Sequence, residues 1–467
     1  MTDRAAKFAE LYKQGMALLL EHKDDEAMAL FYQAAKIAPE GWLALSNELI
    51  RDKQYGPAED RCKEILQLTK EVKLRAAAFN NLGMIYCAVG QVDSAEQVFK
   101  ESIREYPAAP DAFSNLGLIN QWRQNFTDAL RWVGRALKLD PWHEQAQFIQ
   151  SSVKLLQGNY LEGFEEYECR WRSKVNATVP ADCTHQPQWS TCECPSGEKR
   201  AGLQKLNANK PEWDGSNGKF LFIYGEQGHG DSILMLRYAR GMRARGMRQA
   251  WVCQKSMGPM LRMIPEIDEV IEVGDPLPDF DCHLPSVSLP RLFKTTLDNI
   301  PPAPYIPMPA DAVDYGPGFH VGICWRGNQT QNNDVLRSTN LGVWADVLAV
   351  PGITFHSLQV DNASEVDLYP IIKTYPKPDD WQETVRRMAG LDLIISVDTA
   401  IVHLAGAMGL TCWCALHRRP YFVYPPSCGD KTPWYDSVRL FRAPENNDWK
   451  PVFKKIADEL SNYRHSV

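Results

Sequence analysis

Along the first third of the chain, small and apolar positions recur at a fixed offset. Gly83 and Gly117 lie 34 residues apart, as do Ala95 and Ala129, and Pro107 and Pro141. NLGMIYCAVGQVDSAEQVFKESIREYP therefore aligns without a gap on NLGLINQWRQNFTDALRWVGRALKLDP. Upstream, Gly15, Ala27, Phe31, Ala34 and Pro39 hold equivalent offsets, and a weaker copy carries Ala58, Cys62 and Ile65. A last, degenerate copy reads LLQGNYLEGFEEYECRWR, with Gly163 at the alanine position. Such a repeat predicts two antiparallel helices per copy, with small residues at their close crossing. Each copy buries its apolar face on its neighbours. The aromatic and aliphatic positions then read as core, not as a ligand box. Residues 1–171 are assigned to this repeat array.

The periodicity dissolves over residues 172–210 into VPADCTHQPQWSTCECPSGEKRAG, a linker or insertion rich in turn formers. Beyond it the pattern becomes short apolar runs separated by helical stretches. KFLFIYGEQGHGDSILMLRYARGMRARG reads as a strand over 219–224, a glycine-rich turn, and a helix beginning near Asp231. QAWVCQ, EVIEVG, HVGICWRG, ITFHSLQV, LDLIISVD, CWCALH and VRLFR continue the series. Alternating strands and helices predict parallel, doubly wound sheets. The proline-rich stretch 301–318 divides them into a lobe over 211–310 and a second over 318–467.

One stretch, IISVDTAIVHLAGAMGL (394–410), poses a question. A buried strand runs straight into Asp398 and Thr399, which are N-cap residues, and then into a helix of small residues that Gly409 ends. Such a strand-to-helix turn leaves free N–H groups and the positive end of a helix dipole at one spot, which suits an anion such as a diphosphate. An ordinary capped βα unit is the plainer reading. The turn 225–231 is its counterpart after the first strand.

With 44% hydrophobic and 23% charged residues, the chain reads as a soluble globular protein. It holds no apolar run long enough for a membrane span. The charged start MTDRAAKFAELYKQG does not match a secretory signal. Twelve scattered cysteines favour a reduced, cytoplasmic setting over a disulfide framework. A net charge of −7 lends no support to broad nucleic-acid binding. Cys183, His185, Cys192 and Cys194 gather, but their spacing is unlike paired zinc ligands. No metal and no cofactor are expected.

Candidate chemistry gathers at strand ends. GEQGHGD offers Gly225, Gln227, Gly228, His229 and Gly230, a weak match to a dinucleotide fingerprint, and Asp231, which otherwise serves as an N-terminal helix residue. The loop WRGNQTQNNDVLRSTNL offers Arg326, Asn328 and Arg337, and arginine suits bidentate phosphate recognition. Ser357 and Gln359 end a strand within reach of a nucleotide base. His403, four residues after Thr399, lies on the same helix face.

These residues carry a resemblance. EWDG…LFIYGEQGHGDSILMLRYAR, DPLPDFDCHLPSVSLPRLF, VGICWRGN…NDVLRS and LDLIISVDTAIVHLAGAMG…PWYDSVRLFR resemble TPR-linked glycosyltransferase-like proteins of bacteria and phages. Their catalytic half is similar to the ADP-heptose:lipopolysaccharide heptosyltransferases. The layout also resembles the protein O-GlcNAc transferases. The resemblance spans nearly all of residues 210–460. It implies an α-solenoid joined to an α/β GT-B region of two Rossmann-like lobes, acceptor side first and nucleotide-sugar side second. It implies inverting, metal-independent transfer from a nucleotide-diphosphate sugar. Asp231 takes the place of the general base and Arg337 that of the diphosphate clamp. Asp398, Thr399, Ala400 and His403 take that of the turn holding the leaving group. His403 either touches phosphate or sugar, or is a buried histidine bonded to the other lobe. His229, Arg326 and Ala400 depart from the family pattern, which bears on substrate identity.

The acceptor expected on the concave face of the array is a protein first, a glycan second and a modified nucleic-acid base third. Self-association stays open. The competing expectation is a non-catalytic interaction scaffold that retains the two lobes.

Overall fold

A computed structural model describes residues 2–20, 23–171, 192–193, 199–200, 210–226, 228–328, 334–360, 364–444 and 448–464. The chain divides into two compact units, residues 1–153 and 154–467.

In the first unit the helices pair in chain order: α1 (Thr2–Leu20) with α2 (Asp24–Ala35), α3 (Pro39–Arg51) with α4 (Tyr55–Leu68), α5 (Val72–Ala88) with α6 (Val92–Glu105), and α7 (Pro110–Trp122) with α8 (Phe126–Leu139). α9 (Glu144–Leu156) runs across the division between the units. The repeated small residues have a steric reason. A Cβ on Gly83 would stand 2.4 Å from the Phe99 ring, and one on Gly117 would stand 2.5 Å from Val133. Polar side chains also repeat: Asn81 Nδ2 donates to Asn47 Oδ1 at 2.6 Å, and Asn115 Nδ2 donates to Asn80 Oδ1 at 2.9 Å. These bonds tie α3 to α5 and α5 to α7, the first helices of successive pairs. A row of amides replaces apolar packing there because each buried group finds a partner.

In the second unit the last repeat-like segment, α10 (Tyr160–Glu166) with the 3-10 turn Tyr167–Trp171, departs from the assignment of residues 1–171 to one array. Tyr160, Phe164 and Tyr167 are buried in the core of the second unit. The Phe164 ring lies 5.3 Å from Phe422, and Trp434 Nε1 donates to Tyr160 Oη at 2.9 Å. Large aromatics there bury their rings in the core of the α/β region.

A short antiparallel pair, β1 (Cys192–Glu193) and β2 (Lys199–Arg200), precedes two sheets. The first holds β3 (Phe220–Tyr224), β4 (Arg248–Cys253), β5 (Glu269–Glu272) and β6 (Cys282–Pro285) in the order β5-β4-β3-β6, all parallel. Its helices are α11 (His229–Met235), α12 (Ala239–Ala244), α13 (Gly258–Leu261) and α14 (Leu289–Leu292). The second holds β7 (Phe319–Cys324), β8 (Ile353–Ser357), β9 (Ile372–Lys373), β10 (Leu393–Val397), β11 (Cys412–Leu416), β12 (Lys431–Thr432) and β13 (Tyr435–Arg442), in the order β12-β13-β11-β10-β7-β8-β9. Its pairs are parallel except β12 with β13. Its helices are α15 (Asp334–Arg337), α16 (Ala345–Leu348), α17 (Trp381–Ala389), α18 (Ala400–Met408) and α19 (Lys450–Tyr463).

Both faces of the second sheet are covered, which is why its strands read as unbroken apolar runs. In β10, Ile394 faces one core while Leu393, Ile395 and Val397 face the other. α18 lies between the sheets against α11, and its eight residues from Ile401 to Met408 are all buried. Gly406 allows that packing, because a Cβ there would fall 2.3 Å from the Tyr435 ring. Gly409 ends the helix at φ 74°, a left-handed position that favours glycine. The connecting stretch 301–318 is pinned to α18, with the Tyr305 and Ile306 amides both donating to Ala407 O. Arg237 bridges the sheets from the core, donating to Leu234 O, Pro301 O and Trp434 O. No helix among the described residues is long and apolar enough to cross a membrane.

Candidate functional site

The two turns singled out in the sequence face each other. β3 ends at Tyr224, and the chain passes Gly225, Glu226 and Gly228 into α11. The Gly228 amide donates to Asp231 Oδ2 at 3.1 Å, so the aspartate closes the first turn of its own helix. β10 ends at Val397, and Thr399 caps α18, its Oγ1 accepting from the Ile401 amide at 3.3 Å. Ala400 is the first residue of that helix. The turns meet at Gly230, where a Cβ would stand 2.8 Å from His403 Cδ2 and 3.6 Å from Ala400 Cα.

His403 is buried, as its second reading has it, but its bond is not to the other lobe: Nδ1 bonds Tyr435 Oη of its own lobe at 3.1 Å, and only packing against Gly230 reaches across. Burial, reinforced by the positive charges of Arg237 and Arg337, drives its pKa down to about 3, so the ring is neutral. Asp231 is half-buried, and its pKa rises to about 7. Burial is the main cause; the Gly228 amide opposes it, and the charges of Glu226 and Asp398 add to it. Asp398 is also raised by burial, against the opposing pull of Arg337 and of the Tyr424 hydroxyl. That hydroxyl is buried with no hydrogen-bond partner at bonding distance, yet it lies near enough to favour the charged carboxylate. His417 Nε2 stands 3.9 Å from Asp398 Oδ2. Burial lowers the His417 pKa to about 4, so the imidazole is neutral and the contact is not an ion pair. Two acids of raised pKa thus sit on the two facing turns, and perturbed acids of this kind cluster at functional sites.

Arg337 lies beside the second turn, its Nη1 donating to Asp398 O at 3.2 Å and its Nε to Asp334 Oδ1 at 3.1 Å. Asp334 is buried and accepts from Ser338 Oγ at 2.8 Å, and Ser338 Oγ accepts from the Gly327 amide at 2.9 Å. Gly327 leaves room for the guanidinium, since a Cβ there would meet Arg337 Nη2 at 2.6 Å. Asp334 and Gly327 were not singled out in the sequence. The spacing N-D-x-x-R-S, an i,i+3 ion pair followed by a hydroxyl, was the available signal.

The other candidates divide. Gln359 uses both ends of its amide on the Arg326 backbone, accepting from its N at 3.2 Å and donating to its O at 3.1 Å. It therefore shapes the loop after β7 and does not reach outward. Ser357 Oγ accepts from the Gln359 amide at 3.3 Å. Arg326 stands 3.8 Å from Glu365 through Nη2, and Asn328 is exposed. His229 bonds Gln254 Oε1 at 2.5 Å and meets the Trp381 ring edge-on at 5.4 Å, reaching from the first lobe to α17 of the second. Gln227 lies outside the described residues, as do Cys183, His185 and Cys194 and the side chain of Cys192. A D-x-D sequence, Asp279-Phe280-Asp281, precedes β6 and lies outside the two turns. Asp281 Oδ2 accepts from the Phe220 amide at 2.8 Å, and Asp279 pairs with Lys210 at 3.0 Å. Among the described residues no group of three or more His, Cys, Asp or Glu is placed to hold a metal ion.

A tetratricopeptide repeat family model matches residues 75–106, which fall on α5 and α6. The first unit is accordingly a tetratricopeptide-type helical solenoid. The chain is 23% identical to the FlbA protein of Caulobacter vibrioides, in a match covering 87% of this chain and 71% of that protein. It is 28% identical to the photosystem I assembly protein Ycf3 of Prochlorococcus marinus, over 29% of this chain and 75% of the relative. Among solved structures, a thermophilic TPR protein of Thermus thermophilus matches at 18% identity and a TM-score of 0.32, over 36% of this chain and 93% of its own.

Proposed function

We propose that the second unit is a GT-B-type glycosyltransferase. It moves a sugar from a nucleotide-diphosphate donor to an acceptor hydroxyl by a metal-independent, inverting displacement. The observation that carries the reading is the meeting of the two turns at Gly230 and His403. It sets Asp231, an accessible acid with a pKa of about 7, opposite the capped N-terminus of α18 and the guanidinium of Arg337.

In this reading Asp231, ionised, accepts the proton of the acceptor hydroxyl as its oxygen attacks the anomeric carbon. A pKa near working pH lets one carboxyl both take that proton and release it later. The bond from the anomeric carbon to the diphosphate breaks, and its electron pair leaves with the nucleotide diphosphate. The growing negative charge is met by Arg337 and by the N-terminal end of α18 at Thr399 and Ala400. Neutral His403 packs the turn and adds no competing positive charge. The helical repeats position the acceptor. A protein segment is favoured because arrays of this kind present an extended concave surface, an inference from fold alone.

The alternative is an interaction scaffold without catalysis. The name of the Ycf3 relative, an assembly protein matched over the repeat region, leans that way. A thermal-shift panel with UDP, GDP, ADP, CDP and dTDP separates the two. One nucleotide at a hundredfold excess over Kd stabilises by about 2.7 kcal/mol, and the shift disappears in Arg337→Ala. No shift with any of the five favours the scaffold.

A further inference from the structure

Outside the residues just described, a large buried charge cluster lies under the glycine-rich turn. Arg170, from the 3-10 turn Tyr167–Trp171, grips Glu226 with two edges of its guanidinium: Nε to Oε2 at 2.6 Å and Nη2 to Oε1 at 3.0 Å. Nη1 also donates to Glu168 Oε1 at 2.7 Å, and Nη2 to Ser288 Oγ at 2.8 Å. Ser288 Oγ donates to Glu168 at 2.7 Å, and the Val287 amide donates to Glu226 Oε1 at 3.0 Å. The guanidinium stands 5.0 Å and 4.7 Å from the Tyr167 and Trp171 ring centroids. Both Arg170 and Glu226 are buried.

A buried ion pair is seldom the most stable filling for a core, because desolvation offsets much of its attraction. Its location suggests another reason. Glu226 lies directly after Gly225, in the turn that leads to Asp231, and its charge acts on that carboxyl. Asp231 is faced by Glu226 from its own turn, by Asp398 from the turn after β10, by Tyr421 from the segment after β11, and by neutral His403 through Gly230. Glu226 and Asp398 each repel a charge on Asp231, and a fixed cation behind Glu226 holds that carboxylate in its place.

We propose that Arg170 is a positioning residue: by holding Glu226 in a bidentate grip it fixes the glycine-rich turn, and with it the Asp231 carboxylate. The functional part of this proposal rests on Asp231 being the proton acceptor. Arginine suits the task because its planar fork fixes two oxygens at once, which a lysine ammonium does not.

The test uses the full chain labelled with 13C at the aspartate carboxyl carbons, the Asp231 resonance being identified by its loss in Asp231→Asn. Truncating Arg170 strands a buried carboxylate and endangers the fold, so the working variants are Arg170→Lys and Glu226→Gln. Glu226→Gln is expected to lower the titration midpoint of Asp231 by about half a pH unit or more, since a neighbouring negative charge is gone. Arg170→Lys is expected to move the resonance while the protein stays folded. If both variants fold and leave resonance and midpoint where the wild type has them, the proposal is overturned. The measurement needs neither donor nor acceptor, so it is decided separately from glycosyl transfer. Once a donor is identified, Arg170→Lys should lower kcat with donor KM unchanged; raised KM with kcat intact counts against the proposal.

Discussion

Gly230 lies against His403 so closely that a single methyl group would not fit between the two turns: a Cβ on Gly230 would stand 2.8 Å from His403 Cδ2. The imidazole has little freedom to retreat, being buried, bonded to Tyr435 Oη at 3.1 Å and flanked by the Tyr424 ring. Gly230→Ala should therefore push the turns apart at a cost of about 1–3 kcal/mol. A displacement near 1 Å at the reacting groups lowers turnover roughly a hundredfold. Melting temperature and single-turnover rate, measured side by side, check this. An unchanged rate would show that the spacing of the turns is not critical.

Asp231→Asn should abolish transfer and yet stabilise the fold at neutral and alkaline pH. The folded-state pKa of about 7 lies above the ordinary carboxylate value near 3.8. The native state thus binds the proton more tightly than the unfolded chain does. The carboxyl costs nothing below about pH 4, and its burden grows as pH rises to 7. A shift of this size corresponds to at most about 4 kcal/mol, less whatever water relieves at a half-buried group. Asparagine keeps an oxygen for the Gly228 amide and carries no charge. Melts at pH 8.5 should show the variant above the wild type, and melts at pH 4 should show the two together.

Arg337 and Gly327 should behave as one unit. Arg337→Ala removes the cation, and Gly327→Ala adds a methyl group that would stand 2.6 Å from Arg337 Nη2 and displace it. Charged hydrogen bonds of this kind contribute about 1.5–3 kcal/mol, so each variant should weaken nucleotide-diphosphate binding at least about tenfold. Titration calorimetry with the nucleotide found in the thermal panel measures it. If Gly327→Ala binds as tightly as the wild type, the guanidinium is not held where nucleotide binding needs it.

Much of the fold was legible because its signals are local. The 34-residue repeat fixes helix pairs, and Gly83 against Phe99 shows why the spacing is kept. The apolar runs gave the strands of both sheets apart from β6 and the two-residue strands β9 and β12, whose CHLP, IK and KT are too short or mixed to stand out. Local geometry was legible where a motif carries its own: Asp231 closes the first turn of α11, Thr399 caps α18, and Arg337 pairs with Asp334. It was not legible where a side chain acts at long sequence distance. Nothing in YECRWR announces that Arg170 bonds Glu226, 56 residues on, or that α10 leaves the array for the second unit. Gln359 misled for a related reason: its amide finds the Arg326 backbone, a partner that sequence order hides.

The buried histidines and acids of the second unit should pull its acid stability in opposite directions. His403, His356 and His417 have pKa values lowered to about 3, 4 and 4, chiefly by burial. Each lies below the ordinary histidine value of 6.5, so the unfolded chain binds the proton more readily. Their contribution is complete above about pH 6.5 and is lost as the pH falls below it. Asp231, raised to about 7, acts with the opposite sign across the same window, because the native state takes up its proton; Asp398, also raised, acts in the same direction as Asp231. The wild type should therefore lose stability only gradually between pH 6.5 and 5. In Asp231→Asn one compensating carboxyl is gone, so the same interval should show a steeper fall. Adding His417→Gln should flatten it again, since glutamine retains an acceptor for the Arg419 amide that now bonds His417 Nδ1 at 3.1 Å. Melting temperatures of the wild type, the single variant and the double variant across that interval give three slopes. Equal slopes would mean that these buried groups do not govern the acid response.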